Sequence, residues 1–232
     1  MKINRIMSLL YRDKSILKIE KKIRLLGINQ KYNAITFMNI RIISSIFIFF
    51  MVIYLTDFGY ILTPIITYFY YTLLPDMYFN PKIKKRSREL DYDAIYFFEI
   101  LTLSLISGNN LMNALKVSSD SIDSSLALEI REVMREVNLG KSLDEALEDL
   151  KGRIPSDTVN NILLNIRESN LFGNNIIDTL YNQIDYIREK IVLENRARIS
   201  KLPLKISIVS VIFFIPLLLL LILGPVILNY FS

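Results

Sequence analysis

The chain has 232 residues, 52% hydrophobic yet 22% charged, with a net charge of +5 and neither cysteine nor histidine. Without Cys there is no disulfide framework and no thiolate metal site, and without His the commonest general base and transition-metal ligand are both missing. A zinc hydrolase and a Ser-His-Asp enzyme are thereby excluded, and one domain plus membrane segments is the natural size class.

Charge is segregated along the chain. Residues 1–41 carry 10 basic and 2 acidic side chains, residues 81–88 five basic ones and residues 196–205 four, whereas 89–195 hold 9 basic against 19 acidic, a balance of −10. Basic residues sit beside the apolar segments and acidic ones between them. That is a membrane signature rather than a nucleic-acid footprint, so a membrane and no nucleic acid is expected as partner.

Residues 1–36 read as a basic cytoplasmic segment, too long and too basic for a signal peptide and without a small-residue cleavage site. Ile3, Ile6, Leu10, Leu17 and Ile23 interleave with Lys14, Lys18, Lys21 and Lys22. This predicts either a basic helix lying on anionic lipid or a solvated helix leading to the first span. Residues 37–79 are predicted to form a transmembrane hairpin. From Ile42 to Leu74 the one charge is Asp57, and the stretch is too long for a single span of about 20 residues but enough for two short ones. Thr56-Asp57-Phe58-Gly59 supplies the turn. The hairpin returns Lys82, Lys84, Lys85, Arg86 and Arg88 to the side of the basic N-terminus, whereas one tilted span would separate the two clusters against the positive-inside rule.

Residues 80–202 are predicted to be a cytoplasmic helical domain. Strand alternation is missing, and helical spacing recurs at Ile95, Phe98, Leu101 and Leu105, then at Ile162, Ile166, Ile176, Leu180 and Ile184. An internal repeat runs through it: GNNLMNAL from Gly108, GKSLDEAL from Gly140 and GNNIIDTL from Gly173, with the glycines 32 and then 33 residues apart. Each Gly suits the left-handed position that closes a helix. Asn110, Ser142 or Asn175, two residues on, suits the cap of the next helix. Three such corners predict six helices, the fifth starting at Pro155-Ser156-Asp157. The glycines are structural corners, since no strand precedes them and no Lys-Ser/Thr closes a phosphate loop. Residues 203–232 are predicted as a final span: after Lys205 no charged side chain follows, and Arg196, Arg198, Lys201 and Lys205 keep its start in the cytoplasm and its end outside. Pro216, Gly224 and Pro225 lie within it.

Chemistry-bearing residues are few. Asp57 and Asp76, each close to an apolar segment, could suggest the proton-sharing carboxylates of an intramembrane protease. They read instead as span ends, because they fall on opposite sides of the membrane in this topology and lack a Gly-x-Gly-Asp pattern. Asp144, Glu145, Glu148 and Asp149 form an acidic run on one short helix, expected to be a solvated face or a surface for a basic partner; no calcium-loop spacing accompanies it. No catalytic, cofactor-binding or metal residues are expected, and the chain reads as a non-enzyme with no cofactor.

This order of segments resembles the type II secretion system F-domain family, specifically its TadB/TadC branch. The resemblance is carried by Leu101–Gly108 with Leu111, Ala114 and Leu115, by Gly140-Lys141-Ser142-Leu143 with Glu145-Ala146-Leu147, and by Glu168–Gly173. Ala197 to Pro203 leading into a span with Gly224-Pro225, and Arg24-Leu25-Leu26-Gly27-Ile28, are similar as well. It implies an all-α membrane protein with an N-terminal transmembrane hairpin, a cytoplasmic six-helix bundle and a C-terminal transmembrane helix. It also implies a platform subunit in the inner membrane of a prokaryote, within a type IV-like (Tad/Flp) pilus or type II secretion machine. The implied partners are a cytoplasmic hexameric secretion ATPase, pilin subunits and a similar F-domain subunit, the same chain or a paralogue. Two other classes compete. A small transporter or channel subunit would need ionisable groups inside the spans, where only Ser44, Ser45, Thr63, Thr67, Ser207 and Ser210 are offered. A membrane-tethered signalling adaptor needs no secretion partners.

Overall fold

The computed structural model describes residues 13–28, 33–55, 59–172 and 176–231. Its elements are α1 (Asp13–Arg24), α2 (Ala34–Leu55), α3 (Gly59–Ile106), α4 (Leu111–Ser121), α5 (Ser125–Asn138), α6 (Leu143–Lys151), α7 (Asp157–Phe172), α8 (Ile176–Ile199) and α9 (Leu202–Phe231). No strand occurs among the described residues, and the protein is all-helical. The chain divides into two compact units, residues 1–184 and 185–232.

In the first unit α2 and the N-terminal arm of α3 pair antiparallel. Phe37 packs on Phe79 with ring centroids 4.6 Å apart, and one helical stretch nearer the apex Arg41 meets Tyr71. The two helices thus form a hairpin, and the expected turn residues Thr56, Asp57 and Phe58 lie outside the described ones. α2, at 22 residues, is long and apolar enough to cross a membrane, and so is the apolar stretch ending at Leu223. The α3 arm is interrupted by Tyr60, Tyr68, Tyr70, Tyr71 and two prolines, and among the described residues two stretches rather than three meet that measure. α3 does not stop at the foot of the hairpin: over its 48 residues it passes Pro64, Pro75 and Pro81 and continues into the domain.

The N-terminal segment differs from both expectations. Ile19 and Leu26 are buried with Phe37, Met38 and Phe79, and Ile16 and Ile23 pack against this cluster. Most of the apolar face of α1 thus covers the base of the hairpin. Protein, not lipid or water, takes it up, because burying those side chains there removes them from water at about 25 cal/mol per Å².

Beyond residue 80, the C-terminal part of α3 and α4 to α8 make the six helical stretches that the repeat predicts. Leu90, Ala94, Phe97, Phe98 and Leu101 of α3 are fully buried, as are Leu115, Leu126, Ile130, Val133, Leu150 and Ile162 from its neighbours. Gly108 and Gly140 take positive φ of 89° and 101°, which only glycine adopts freely. Two residues later Asn110 accepts from the Asn113 N–H and Ser142 from the Glu145 N–H. The third corner, at Gly173 and Asn175, lies outside the described residues. Ser156 caps α7 through the Val159 N–H, as the Pro-Ser-Asp signal predicts, and its hydroxyl bonds the buried Asp91 of α3. Asp93, further along α3, accepts from the Ser125 and Leu126 N–H groups at the start of α5. One helix thereby fixes the N-termini of two others, where a carboxylate also meets the positive end of the dipole.

Candidate functional site: a charge network and an acidic helix

The repeat corner at Gly140 precedes α6 and a separate turn at residues 152–155 follows it, and these two turns carry Lys141 and Arg153, side chains that converge on α5. Glu129 of α5 is 2% exposed. It accepts from Arg86 Nη2 of α3 at 2.6 Å, from Arg153 Nε at 3.1 Å and from the Ile28 N–H at 3.3 Å. Arg86 Nη1 also donates to the carbonyls of Leu25, at 2.8 Å, and Arg153, at 3.0 Å. Arg153 Nη1 continues to Glu136 at 3.1 Å, Glu136 accepts from Lys141 at 2.6 Å, and Lys141 also pairs with Asp149. The chain of charges ties the N-terminal corner, α3, α5 and both ends of α6 together. A buried ion needs several such partners to offset its lost hydration, and Glu129 has them.

Gly27 makes the N-terminal end of this network possible. Its φ is +98°, and a Cβ built there would lie 2.5 to 2.8 Å from the guanidinium atoms of Arg86. Close passage of Arg86 thus requires a residue with no side chain. Beside the network runs an open groove of about 640 Å³, lined among others by Lys85, Arg86, Glu89, Arg131, Glu132 and Arg135. Most of its charges are matched, Arg86 with Glu129 between α3 and α5, Arg135 with Glu132 along α5 and Lys85 with Glu89 along α3.

The acidic run divides when placed on α6. Asp144 and Glu145 occupy the first turn, where negative charge suits the helix dipole. Glu148 is held by Arg167 of α7 at 2.5 Å, and Asp149 by Lys141. Glu145 is exposed and Asp144 half-buried, so the run is part domain structure and part surface. Asp76 pairs with Lys22 of α1, while Asp57 lies outside the described residues. Arg41, counted in sequence with the basic N-terminus, is instead two turns inside α2 and 8% exposed. The sequence pattern offered no sign of the network, because its partners are far apart in the chain.

The network sets a pH dependence. Hydrogen bonds from Lys141 hold Glu136 and Asp149 below the ordinary carboxylate range, and a hydrogen bond from Arg135 does so for Glu132. Burial pushes Asp93 up, against the pull of the Leu126 and Ser125 N–H groups. A depressed carboxylate contributes stability that is complete above its unfolded value and lost as pH falls through the folded one. The raised Asp93 works oppositely, losing its contribution as pH rises, and so offsets part of the acid loss. Thermal unfolding of the full chain in detergent should therefore hold steady down to about pH 5 and weaken below that. Lys141→Met should flatten the acid limb, since Glu136 and Asp149 lose their chief partner; an unchanged limb would show that these contacts do not form. Asp149 is 63% exposed, so added salt should also shrink its share.

The fold thus defines an all-helical protein whose Gly-cornered helical domain is held by internal charge pairing and carries long apolar helices. Residues 97–224, more than half of the chain, match the family described as Type II secretion system (T2SS), protein F. The chain belongs to that family. Members work in membranes within secretion and pilus machinery. The match takes in the corners, Glu129, Glu136 and Arg153, and most of α9, but neither the hairpin nor Arg86. Comparison with curated proteins and with solved structures finds no match.

Proposed function

We propose that the chain is an inner-membrane platform subunit of a Tad/Flp-type pilus or type II secretion machine that couples a cytoplasmic ATPase to pilin assembly. The observation that carries this is the family match across both the helical corners and the final apolar helix. In this reading α2 and the first arm of α3 enter the membrane as a hairpin, residues 80–202 stand in the cytoplasm, and α9 crosses once to end outside. The subunit works mechanically, without a cofactor or chemistry of its own, and pairs with a second F-domain chain, either a copy or a paralogue. The −10 balance of residues 89–195, flanked by basic membrane-proximal residues, favours a basic protein partner over anionic lipid.

The topology is directly testable because the chain has no cysteine. In intact cells, an impermeant maleimide should label a cysteine introduced at Ser232 and should leave one at Glu145 unlabelled until the membrane is opened. Labelling of both from outside would refute the proposed orientation. On the acidic helix, Glu145 is the residue to reverse, since Glu148 and Asp149 have structural partners. Glu145→Lys should cut ATPase capture by roughly 5- to 10-fold, as for a charge pair worth about 1 kcal/mol at an interface, without lowering the thermal midpoint. Unchanged capture would take the partner surface away from α6.

A further inference from the structure

Pro75 sits inside α3. A proline has no N–H, so the carbonyl four residues earlier loses its helical partner; here that carbonyl belongs to Tyr71. Arg41 of α2 donates its Nε to this same oxygen at 2.8 Å, and its guanidinium lies 3.6 Å from the centre of the Tyr71 ring. Arg41 is 8% exposed. Its own carbonyl accepts from the Ser44 and Ser45 hydroxyls, the latter at 2.7 Å, which fixes the turn that carries it. One turn along α3, Lys22 of α1 grips the other side of the proline through Asp76 and through Asn80 at 3.0 Å.

We propose that Arg41 is a clamp on the proline-freed carbonyl of Tyr71, holding α3 at Pro75 so that the hairpin and the helical domain move as one body. The same helix spans both parts, and Pro75, which lies between Pro64 and Pro81, is a point where a push on the domain would be lost as bending instead of reaching the hairpin. Helix bends concentrate at such prolines, and within a membrane the freed carbonyl must find a donor from a neighbouring helix. Arg41 is that donor. An ionisable residue inside a span often marks a transport path; this one is used on backbone and ring, which argues for a structural joint. The clamp stands on contacts between α2 and α3 and does not depend on which machine the protein serves.

The test is a double-mutant cycle on the full chain in lipid nanodiscs. Pro75→Ala restores an N–H that the Tyr71 carbonyl can use, so it removes the need for the clamp. Arg41→Met alone should lower the thermal midpoint by roughly 5 °C, and in the Pro75→Ala background its effect should fall to about half or less. Tyr71→Leu, which removes the ring and keeps the carbonyl, should not be rescued by Pro75→Ala. A second readout reports the joint itself. Spin labels on Leu62→Cys and Lys84→Cys, about 33 Å apart along a straight helix at 1.5 Å per residue, should give a narrow distance distribution. It should broaden in Arg41→Met and narrow again in the double variant. Additive stability losses, or a distribution that Arg41→Met leaves unchanged, would overturn the proposal. If Arg41→Met alone fails to accumulate, recovery of the double variant supports the clamp, and failure of both overturns it.

Discussion

Replacing Glu129 by leucine should destabilise the helical domain by about 3–5 kcal/mol, the usual result of removing one member of a buried ion pair. Arg86 and Arg153 have side chains only 12% and 20% exposed, and both would keep a positive charge with its main acceptor gone. The Ile28 N–H would lose its acceptor too. Denaturation of the full chain in detergent, followed by circular dichroism, reads the loss. The double variant Glu129→Leu with Arg86→Met should recover part of it, because unpaired charge, rather than lost packing, is the larger cost. A Glu129→Leu loss below about 1 kcal/mol would mean that the network is solvated and contributes as surface pairs do.

Gly27→Ala should be nearly as damaging, though it adds one methyl group at a corner outside the domain. Backbone strain at φ +98° costs on the order of 1–2 kcal/mol. The larger effect is the collision with Arg86. A guanidinium can usually swing away cheaply, but this one donates to Leu25, Arg153 and Glu129 at once. Moving it leaves Glu129 short of its strongest partner, so the total should reach about 3 kcal/mol or more. Gly140→Ala supplies the control: its φ is similar, but a Cβ there meets nothing within 4 Å. It should therefore cost only the strain, about 1–2 kcal/mol. Equal losses at the two glycines would show that strain alone governs both corners.

How much could be read from the sequence depended on the range of the interaction. The corners at Gly108 and Gly140 and the start of α7 at Ser156 were legible because a helix stop and the next cap lie within a few residues of each other. The hairpin was legible from charge bias and length. Glu129 was not, since Arg86 lies 43 residues away and Ile28 lies 101 away; within α5 alone it looks like another solvated acid. The same blindness put Arg41 with the basic N-terminal residues, because its burial depends on a proline in the facing helix. α1 was read against lipid or water for a related reason: amphipathicity fixes which face is buried, and the tertiary fold decides what covers it. The acidic run on α6 was seen correctly as a run, but the two cations that claim Glu148 and Asp149 were out of sight.

The platform reading is tested most directly by purifying the tagged full chain from its native membranes in mild detergent and identifying the chains that come with it by mass spectrometry. A hexameric secretion ATPase and a second F-domain subunit, the same chain or a paralogue, are the predicted companions. A clean homo-oligomer that brings neither an ATPase nor a pilin would contradict the proposed coupling and leave the family membership as a statement about fold.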